Sequence, residues 1–190
     1  MKVIAGKFKG RVIQMPKGIR PTSGKVREAL FEILKDRIEG AAFLDLFCGS
    51  GAIGIEALSR GAKTATFVDN NFKCIRSLKK NLQQLSLTPT LSPLGRGSHV
   101  LNIYTRNTIQ ALKSITQAFD IIFLDPPYYK DMAKKTLIAL SDCDILARNA
   151  LVIIEAHKKD ILPEETGTLK KIRTCKYGDT KLEFFKHELI

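Results

Sequence analysis

The alternation of short apolar runs with helix-periodic segments is the feature that most constrains the fold of this chain. Five apolar runs are typical of buried strands and lie at 42–46, 64–68, 100–104, 119–124 and 150–155. Consecutive strands that are separated by helices run parallel and are covered on both faces. Two later runs, 169–175 and 181–185, flank a turn and predict an antiparallel pair at the sheet edge. The pattern therefore predicts an α/β fold built on a mostly parallel sheet.

A single domain accounts for the whole chain in this prediction. Its 190 residues fall in the size range of one domain, and neither an internal repeat nor a linker divides them. We expect 23–190 to form a Rossmann-like core, preceded by a basic N-terminal extension at 1–22. Within the extension, 3–5 and 11–13 flank a turn-rich stretch and predict a small β-hairpin. A helix should follow, with Thr22 or Ser23 as its N-cap.

The charge of the chain indicates an anionic partner. It carries 31 Lys and Arg against 19 Asp and Glu, a net charge of +12, which favours nucleic acid or an anionic membrane. The excess is most one-sided in 1–30, where Glu28 is the only acid and where Phe8 lies between two lysines that suit RNA. A solvated basic tail is the alternative interpretation. The candidate RNA contacts are Lys7, Lys9, Arg11, Arg20, Thr22, Lys25 and Arg27.

The cysteines and histidines argue against a disulfide-bonded protein and against a metal site. The four cysteines are widely spaced and form no C-x-x-C motif, which is typical of reduced thiols. The three histidines are scattered, so we expect no metal site. No run approaches the ~18–20 apolar residues of a membrane span, and the N-terminus does not resemble a signal peptide. We therefore expect a cytoplasmic protein without a membrane partner.

Polar signals follow several of the predicted strands. Asp45 precedes a glycine loop, Gly49-x-Gly51-x-x-Gly54, whose glycines allow the backbone to approach a ligand. Asp69 ends the second strand, where an acid can hold the hydroxyls of a ribose or can cap the next helix. Asn107 follows the third strand. Because the carboxyl ends of parallel strands meet at one edge, these side chains should share a ligand-binding crevice with Asp125.

The fourth strand ends at Asp125-Pro126-Pro127-Tyr128. Two prolines cannot continue a strand, so the chain must break there. The break leaves a carboxylate, a carbonyl and an aromatic ring at the mouth of the sheet. Asp125 and the Pro126 carbonyl can accept two hydrogen bonds from one amino group, and Tyr128 can stack on a flat ring. The set suits a nucleobase with an exocyclic amine, although an ordinary strand-ending turn is the alternative.

These features together resemble a class I S-adenosylmethionine-dependent methyltransferase that acts on an exocyclic amine. Further motifs resemble the RsmD family, which methylates the N2 amine of a guanine in 16S ribosomal RNA: Gly6-Lys7-x-Lys9-Gly10-Arg11, Arg20-Pro21-Thr22, Val26-Arg27-Glu28-x-Leu30-Phe31 and Tyr177-Gly178-Asp179-Thr180. The resemblance runs nearly from end to end. It implies a seven-stranded sheet whose final strand is antiparallel.

The resemblance also implies roles for individual residues. Asp125, Pro126 and Tyr128 would be catalytic. The cofactor S-adenosylmethionine would be bound by Asp45, Phe47, Cys48, Gly49, Ser50, Gly51, Asp69, Asn70 and Asn107. The partner would be 16S ribosomal RNA within a small-subunit particle, and the protein would be a monomer. Two departures stand out, namely Gly24 where the family has an acidic residue and an apparent insertion at 88–98.

Other functions remain compatible with parts of the sequence. The strand-end turn also suits methylation of adenine N6 in DNA, of a different ribosomal guanine or of a protein glutamine. The glycine loop alone suits a nicotinamide oxidoreductase, but that function leaves the double-proline turn unexplained. A non-catalytic RNA-binding protein with the same fold would not need the amine contacts.

Overall fold

A computed structural model describes residues 1–19, 22–87, 100–127 and 131–188. Its helices are α1 (Gly24–Leu34), α2 (Ala52–Ser59), α3 (Phe72–Gln84), α4 (Thr108–Leu112) and α5 (Met132–Ser141). Its strands are β1 (Ala42–Leu46), β2 (Thr64–Asp69), β3 (Val100–Thr105), β4 (Phe119–Leu124), β5 (Leu146–His157), β6 (Glu165–Thr166), β7 (Leu169–Tyr177) and β8 (Thr180–His187).

The strands form one mixed sheet in the order β3-β2-β1-β4-β5-β8-β7-β6. The five strands from β3 to β5 pair in parallel, whereas β8 pairs antiparallel with both β5 and β7. From β1 the chain turns outward to β2 and β3, and it then returns to the other side of β1 to form β4 and β5. The boundary between β1 and β4 is therefore the topological switch point, where sheets of this kind bind ligands.

Helices cover both faces of the sheet, as the strand–helix alternation predicts. On one face, β-strand side chains such as Phe43 and Phe123 pack with Leu30 and Phe31 of α1. The neighbouring residues in β1 and β4 point the other way and pack against α4 and α5. Successive side chains of a strand alternate between faces, so two helical layers can bury both sides of one apolar strand.

One detail of the predicted sheet differs from the structure, and the choice between two predicted N-caps of α1 is settled. The described residues contain eight strands rather than seven, because Glu165–Thr166 pairs with the start of β7. Two residues are too short to show a strand period, so no sequence pattern could indicate this strand. The helix N-cap is Ser23, whose Oγ accepts a hydrogen bond from the Val26 N–H at 3.2 Å.

The N-terminal residues 1–19, which we call the N-terminal strap, contain antiparallel contacts between the two segments of the predicted hairpin but no named strand. Val3 donates to the Arg11 carbonyl oxygen at 2.9 Å, Ile13 donates to the Met1 carbonyl oxygen at 2.7 Å, and one isolated bridge joins Lys2 to Val12, so the full hairpin is not confirmed. The strap lies against α2, where Ile4 and Ala5 donate their N–H groups to the Glu56 carboxylate at 2.8 and 3.0 Å. Gly6 permits this approach, because a Cβ there would lie 1.8 Å from the Ser59 carbonyl oxygen.

In the described part of the chain, no helix is long and apolar enough to span a membrane. Within the same ranges, no cluster of three or more His, Cys, Asp or Glu side chains is arranged to hold a metal ion.

Candidate functional site

A cavity of about 260 Å³ lies at the carboxyl ends of β1, β2 and β4, which is the switch point of the sheet. Four parts of the chain line it: the glycine loop, the end of β2 with the start of α3, the double-proline turn, and the strap with Thr22. Most of the predicted cofactor residues lie in its wall, namely Asp45, Phe47, Cys48, Gly49, Ser50, Asp69 and Asn70. The strands thus bring distant motifs together as their positions at strand ends predict.

The glycine loop between β1 and α2 has a constrained backbone. Phe47 has a φ of 61°, a left-handed conformation that is uncommon for a bulky residue and that occurs mainly at functional sites. Gly54 allows α2 to lie close to the sheet, since a Cβ there would lie 2.3 Å from the Phe67 ring. This close approach fixes the first turn of α2 beside the cavity.

Asp45 is buried below the glycine loop. Its side chain is 2% exposed, and its Oδ2 accepts a hydrogen bond from the Gly54 N–H at 2.9 Å. Burial raises the pKa of Asp45 to about 7, the Gly54 hydrogen bond opposes that rise, and the nearby Asp69 charge adds to it. A cation in the cavity would favour the ionised carboxylate, so the site can take up positive charge by releasing a proton near neutral pH.

Asp69 connects the glycine loop to α3. Its Oδ2 accepts a hydrogen bond from the Gly49 N–H, and its Oδ1 accepts one from the Asn71 N–H, each at 2.8 Å. The N-cap of α3 is Asn71, whose Oδ1 accepts from the Lys73 N–H at 2.9 Å, so the capping alternative for Asp69 is wrong. Each carboxylate oxygen keeps a second lone pair that a ribose hydroxyl could use.

The double-proline turn brings Asp125 and Pro127 to the same cavity. Thr22 donates a hydrogen bond from its Oγ1 to Asp125 Oδ2 at 3.3 Å, which links the N-terminal region to the end of β4. Pro126 is buried, and the exposed Pro127 lines the cavity. Tyr128 lies outside the described residues, as do Arg20 and the predicted insertion at 88–98.

The structure corrects the prediction for Arg27. Its side chain is 5% exposed, its guanidinium donates to the Lys2 carbonyl oxygen at 2.7 Å, and burial lowers its pKa. Arg27 therefore holds the strap on α1 and presents no charge to an external partner. Phe8 is also buried, in the same hydrophobic cluster as Ile13 and Phe67, so its ring is not available to a base.

Other predicted residues keep an exposed position or lie elsewhere. The cationic side chains of Lys7, Lys9, Arg11 and Lys25 are exposed. Asn107 caps α4 by accepting a hydrogen bond from the Ile109 N–H at 2.9 Å, and it does not line the cavity. The assignment of Asn107 to the cofactor site therefore stays a prediction.

The cavity also contains residues that the sequence patterns missed. Met1, Met15 and Ile19 of the strap form part of its wall, together with Asn71 and Cys74 of α3. No local pattern could indicate the strap residues, because their position depends on hydrogen bonds to Glu56 and Asn81, more than fifty residues away. The polar side chains of Glu56 and Ser59 in the mostly apolar α2 were the available signal.

A family model, named relatives and a solved structure each match most of the chain. The model of a family described as "Conserved hypothetical protein 95" matches residues 1–186. The ribosomal RNA small subunit methyltransferase D of Buchnera aphidicola (strain Bp) is 39% identical over 182 residues, which are 93% of this chain and 87% of that protein. The Escherichia coli protein of the same name is 34% identical over 190 residues, covering 99% and 90%. The solved structure of yhhF from E. coli aligns with a TM-score of 0.83 at 31% identity, covering 99% and 98%.

Proposed function

The chain belongs to this family, whose curated members include ribosomal RNA small subunit methyltransferase D, and on that premise we propose that it transfers a methyl group from S-adenosylmethionine to the N2 amine of a guanine in 16S ribosomal RNA. The observation that carries the proposal is the position of Asp125. Its carboxylate borders the cavity that the glycine loop and Asp69 line, so a donor held by the loop would face an acceptor held by the turn.

The residues at the glycine loop suit S-adenosylmethionine. The buried Asp45 carboxyl, with its raised pKa, gains from a neighbouring cation, and the methionine part of the cofactor carries an ammonium and a sulfonium. Backbone N–H groups at the start of α2 suit its carboxylate. Asp69 keeps acceptor capacity for the ribose. The cofactor supplies an activated methyl group, so the protein needs mainly to place the acceptor.

Asp125 and Pro126 would orient the acceptor. The lone pair of the guanine amine is conjugated with the ring, and hydrogen bonds from that NH2 to Asp125 and the Pro126 carbonyl favour a geometry with the lone pair aimed at the methyl group. When the nitrogen bonds to the methyl carbon, the methyl–sulfur bond would break, and the Asp125 carboxylate would stabilise the positive charge on nitrogen until one amine proton leaves to solvent. Placement in a near-attack geometry can lower the barrier by roughly 7–11 kcal/mol. Tyr128 stacking would add about 1–3 kcal/mol of binding.

A second cavity offers space for the base. It has a volume of about 230 Å³, borders Pro126 and Pro127, and shares Pro127 with the cofactor cavity. Met132 and Leu162 give it apolar walls, and Glu155 gives it an acid. Two cavities that meet at the turn suit a transfer between two bound molecules. The base would leave its stack to enter this space.

Methyl transfer with nucleoside analysis tests the proposal. Labelled S-adenosylmethionine is offered with small ribosomal subunits, naked 16S RNA and DNA, each from cells that lack the modification. We expect label in N2-methylguanosine from small subunits. We also propose that the enzyme is a monomer and acts in the cytoplasm. Label in N6-methyladenine alone would contradict the proposed substrate, but it would still agree with methylation of an exocyclic amine at this site. The absence of label in all three, with S-adenosylmethionine bound, would overturn the function.

A further inference from the structure

We propose that the outer face of α3 is a second RNA-binding surface, continuous with the strap, that holds the phosphate backbone beside the cavity; the inference rests on the proposed function. Four cations of α3 are exposed, namely Lys73, Arg76, Lys79 and Lys80. The stretch from residue 70 to residue 87 contains no acid. In the described part of the chain, none of these four side chains forms an ion pair. Their charge is therefore available to an anion.

The spacing of these residues places three of them in one row. At about 100° per residue, Lys73, Arg76 and Lys80 fall within an arc of about 60° on the helix surface. The row extends over about 10 Å along the axis, at a rise of about 1.5 Å per residue. Cys74, Ile75, Leu78 and Leu82 on the opposite side are buried against the sheet. Such a row suits successive phosphates better than a single small anion.

Hydrogen bonds join this row to the strap. Asn81 is fully buried, its Oδ1 accepts from the Gln14 N–H at 2.8 Å, and its Nδ2 donates to the Gln14 carbonyl oxygen at 2.9 Å. Ser77 also donates to that carbonyl oxygen, at 2.8 Å. Ser77 and Asn81 lie between the cationic row and the buried side of α3. The strap contains no acid and carries the exposed cations Lys2, Lys7, Lys9, Arg11 and Lys17, and these hydrogen bonds at Gln14 fix it against the side of α3 next to the row.

The surface leads directly to the cavity. Asn71 and Cys74, at the start of α3, line the cavity, and Asn81 also donates to the Ser50 carbonyl oxygen at 3.0 Å. Phe72, in the same turn, is 77% exposed. Aromatic rings beside a cationic track are typical of proteins that bind single-stranded RNA, where they stack on bases. The Phe72 ring is placed to stack on a nucleotide next to the one that enters the site.

The test compares two triple variants that remove equal charge from different parts of the surface. The variant K73Q/R76Q/K80Q removes the row, and the control K63Q/K113Q/R148Q removes three exposed cations near the amino ends of the strands. For the first, we expect S-adenosylmethionine affinity to be unchanged and affinity for a 16S RNA fragment to fall by roughly tenfold or more near 0.1 M salt. The slope of log affinity against log salt should fall by about 2 to 3.

The outcomes separate this inference from the proposed function. RNA binding is measured directly by fluorescence anisotropy, so it does not depend on methyl transfer. Equal RNA affinity and salt slope in the two triple variants would overturn the inference even if the wild type methylates guanine. Loss of binding to phosphatidylglycerol vesicles without loss of RNA binding would assign the row to a membrane and would also overturn it. F72A gives an independent readout, with a severalfold loss of affinity for single-stranded RNA expected.

Discussion

The cavity edge of the sheet and the N-terminal strap acquire their positions in different ways. At the cavity edge, each functional group ends a strand, and the parallel sheet brings the ends of β1, β2 and β4 together. In the strap and the helix α1 that follows it, residues of similar type reach opposite environments: Lys7 of the strap is exposed, while Arg27 of α1, also predicted as an RNA contact, is buried. The comparison shows that a strand-end position can place a residue at the cavity, as for Asp45, Asp69 and Asp125, whereas a charge in the sequence does not indicate whether its side chain is exposed.

The largest expected effect is at the cavity edge and tests whether Asp125 acts on the acceptor. Asp125→Ala should reduce turnover by about a thousandfold or more, since the amine loses its orienting acceptor and the developing charge loses its counter-ion. Affinity for S-adenosylmethionine, measured by calorimetry, should remain close to wild type. Turnover near the wild-type rate would show that the cavity edge does not carry the chemistry.

Glu56 provides the corresponding test in the strap. Its carboxylate is fully buried and accepts from Ile4, Ala5 and the Arg60 Nε, the last at 2.8 Å. Glu56→Ala should lower the free energy of unfolding by about 1–3 kcal/mol, because it leaves three half-buried donors without their acceptor. The matched control is Glu32→Ala, which removes an exposed acid from a surface ion pair and should change stability by well under 1 kcal/mol. Urea denaturation of the two variants measures the difference, and equal losses would contradict the anchoring role.

Asp45 predicts a pH dependence that belongs to the cavity edge alone. Its folded-state pKa of about 7 lies above the value of an unfolded chain, so burial favours the neutral form and its contribution to stability is lost as pH rises toward 7. A bound cation favours the ionised form, so affinity for S-adenosylmethionine should rise with pH, by up to about tenfold per unit below 7. Calorimetry between pH 5.5 and 7 measures this, and Asp45→Asn should flatten the profile. A wild-type profile that is already flat would exclude a cation beside Asp45.

The smallest expected effect is at Thr22, where the two regions meet. Thr22→Val keeps the shape of the side chain and removes the hydroxyl that donates to Asp125 Oδ2. Because a long hydrogen bond of this kind contributes about 0.5–1.5 kcal/mol, we expect a loss of turnover of about tenfold or less, with S-adenosylmethionine affinity unchanged. Thr22→Ser should restore most of the rate. If both variants behave alike, the hydroxyl does not position Asp125.

The family resemblance and the α/β layering were accessible from the sequence, because each depends on residues that are near one another in the chain. Apolar runs fixed which segments become strands, and Asp45, Asp69 and Asp125 could be assigned to one crevice from their strand-end positions alone. The two-residue strand β6 was not accessible, since it is too short for a periodic signal.

Tertiary structure decided the environment of the strap. The burial of Arg27 and Phe8, the anchoring of 1–19 on Glu56 and Asn81, and the continuity of the strap with α3 all depend on contacts between residues that are far apart in the chain. A local pattern reports the period of an element and the sign of its charge. It does not report which distant group will accept a hydrogen bond, and that choice determines whether a cation faces the solvent or the core.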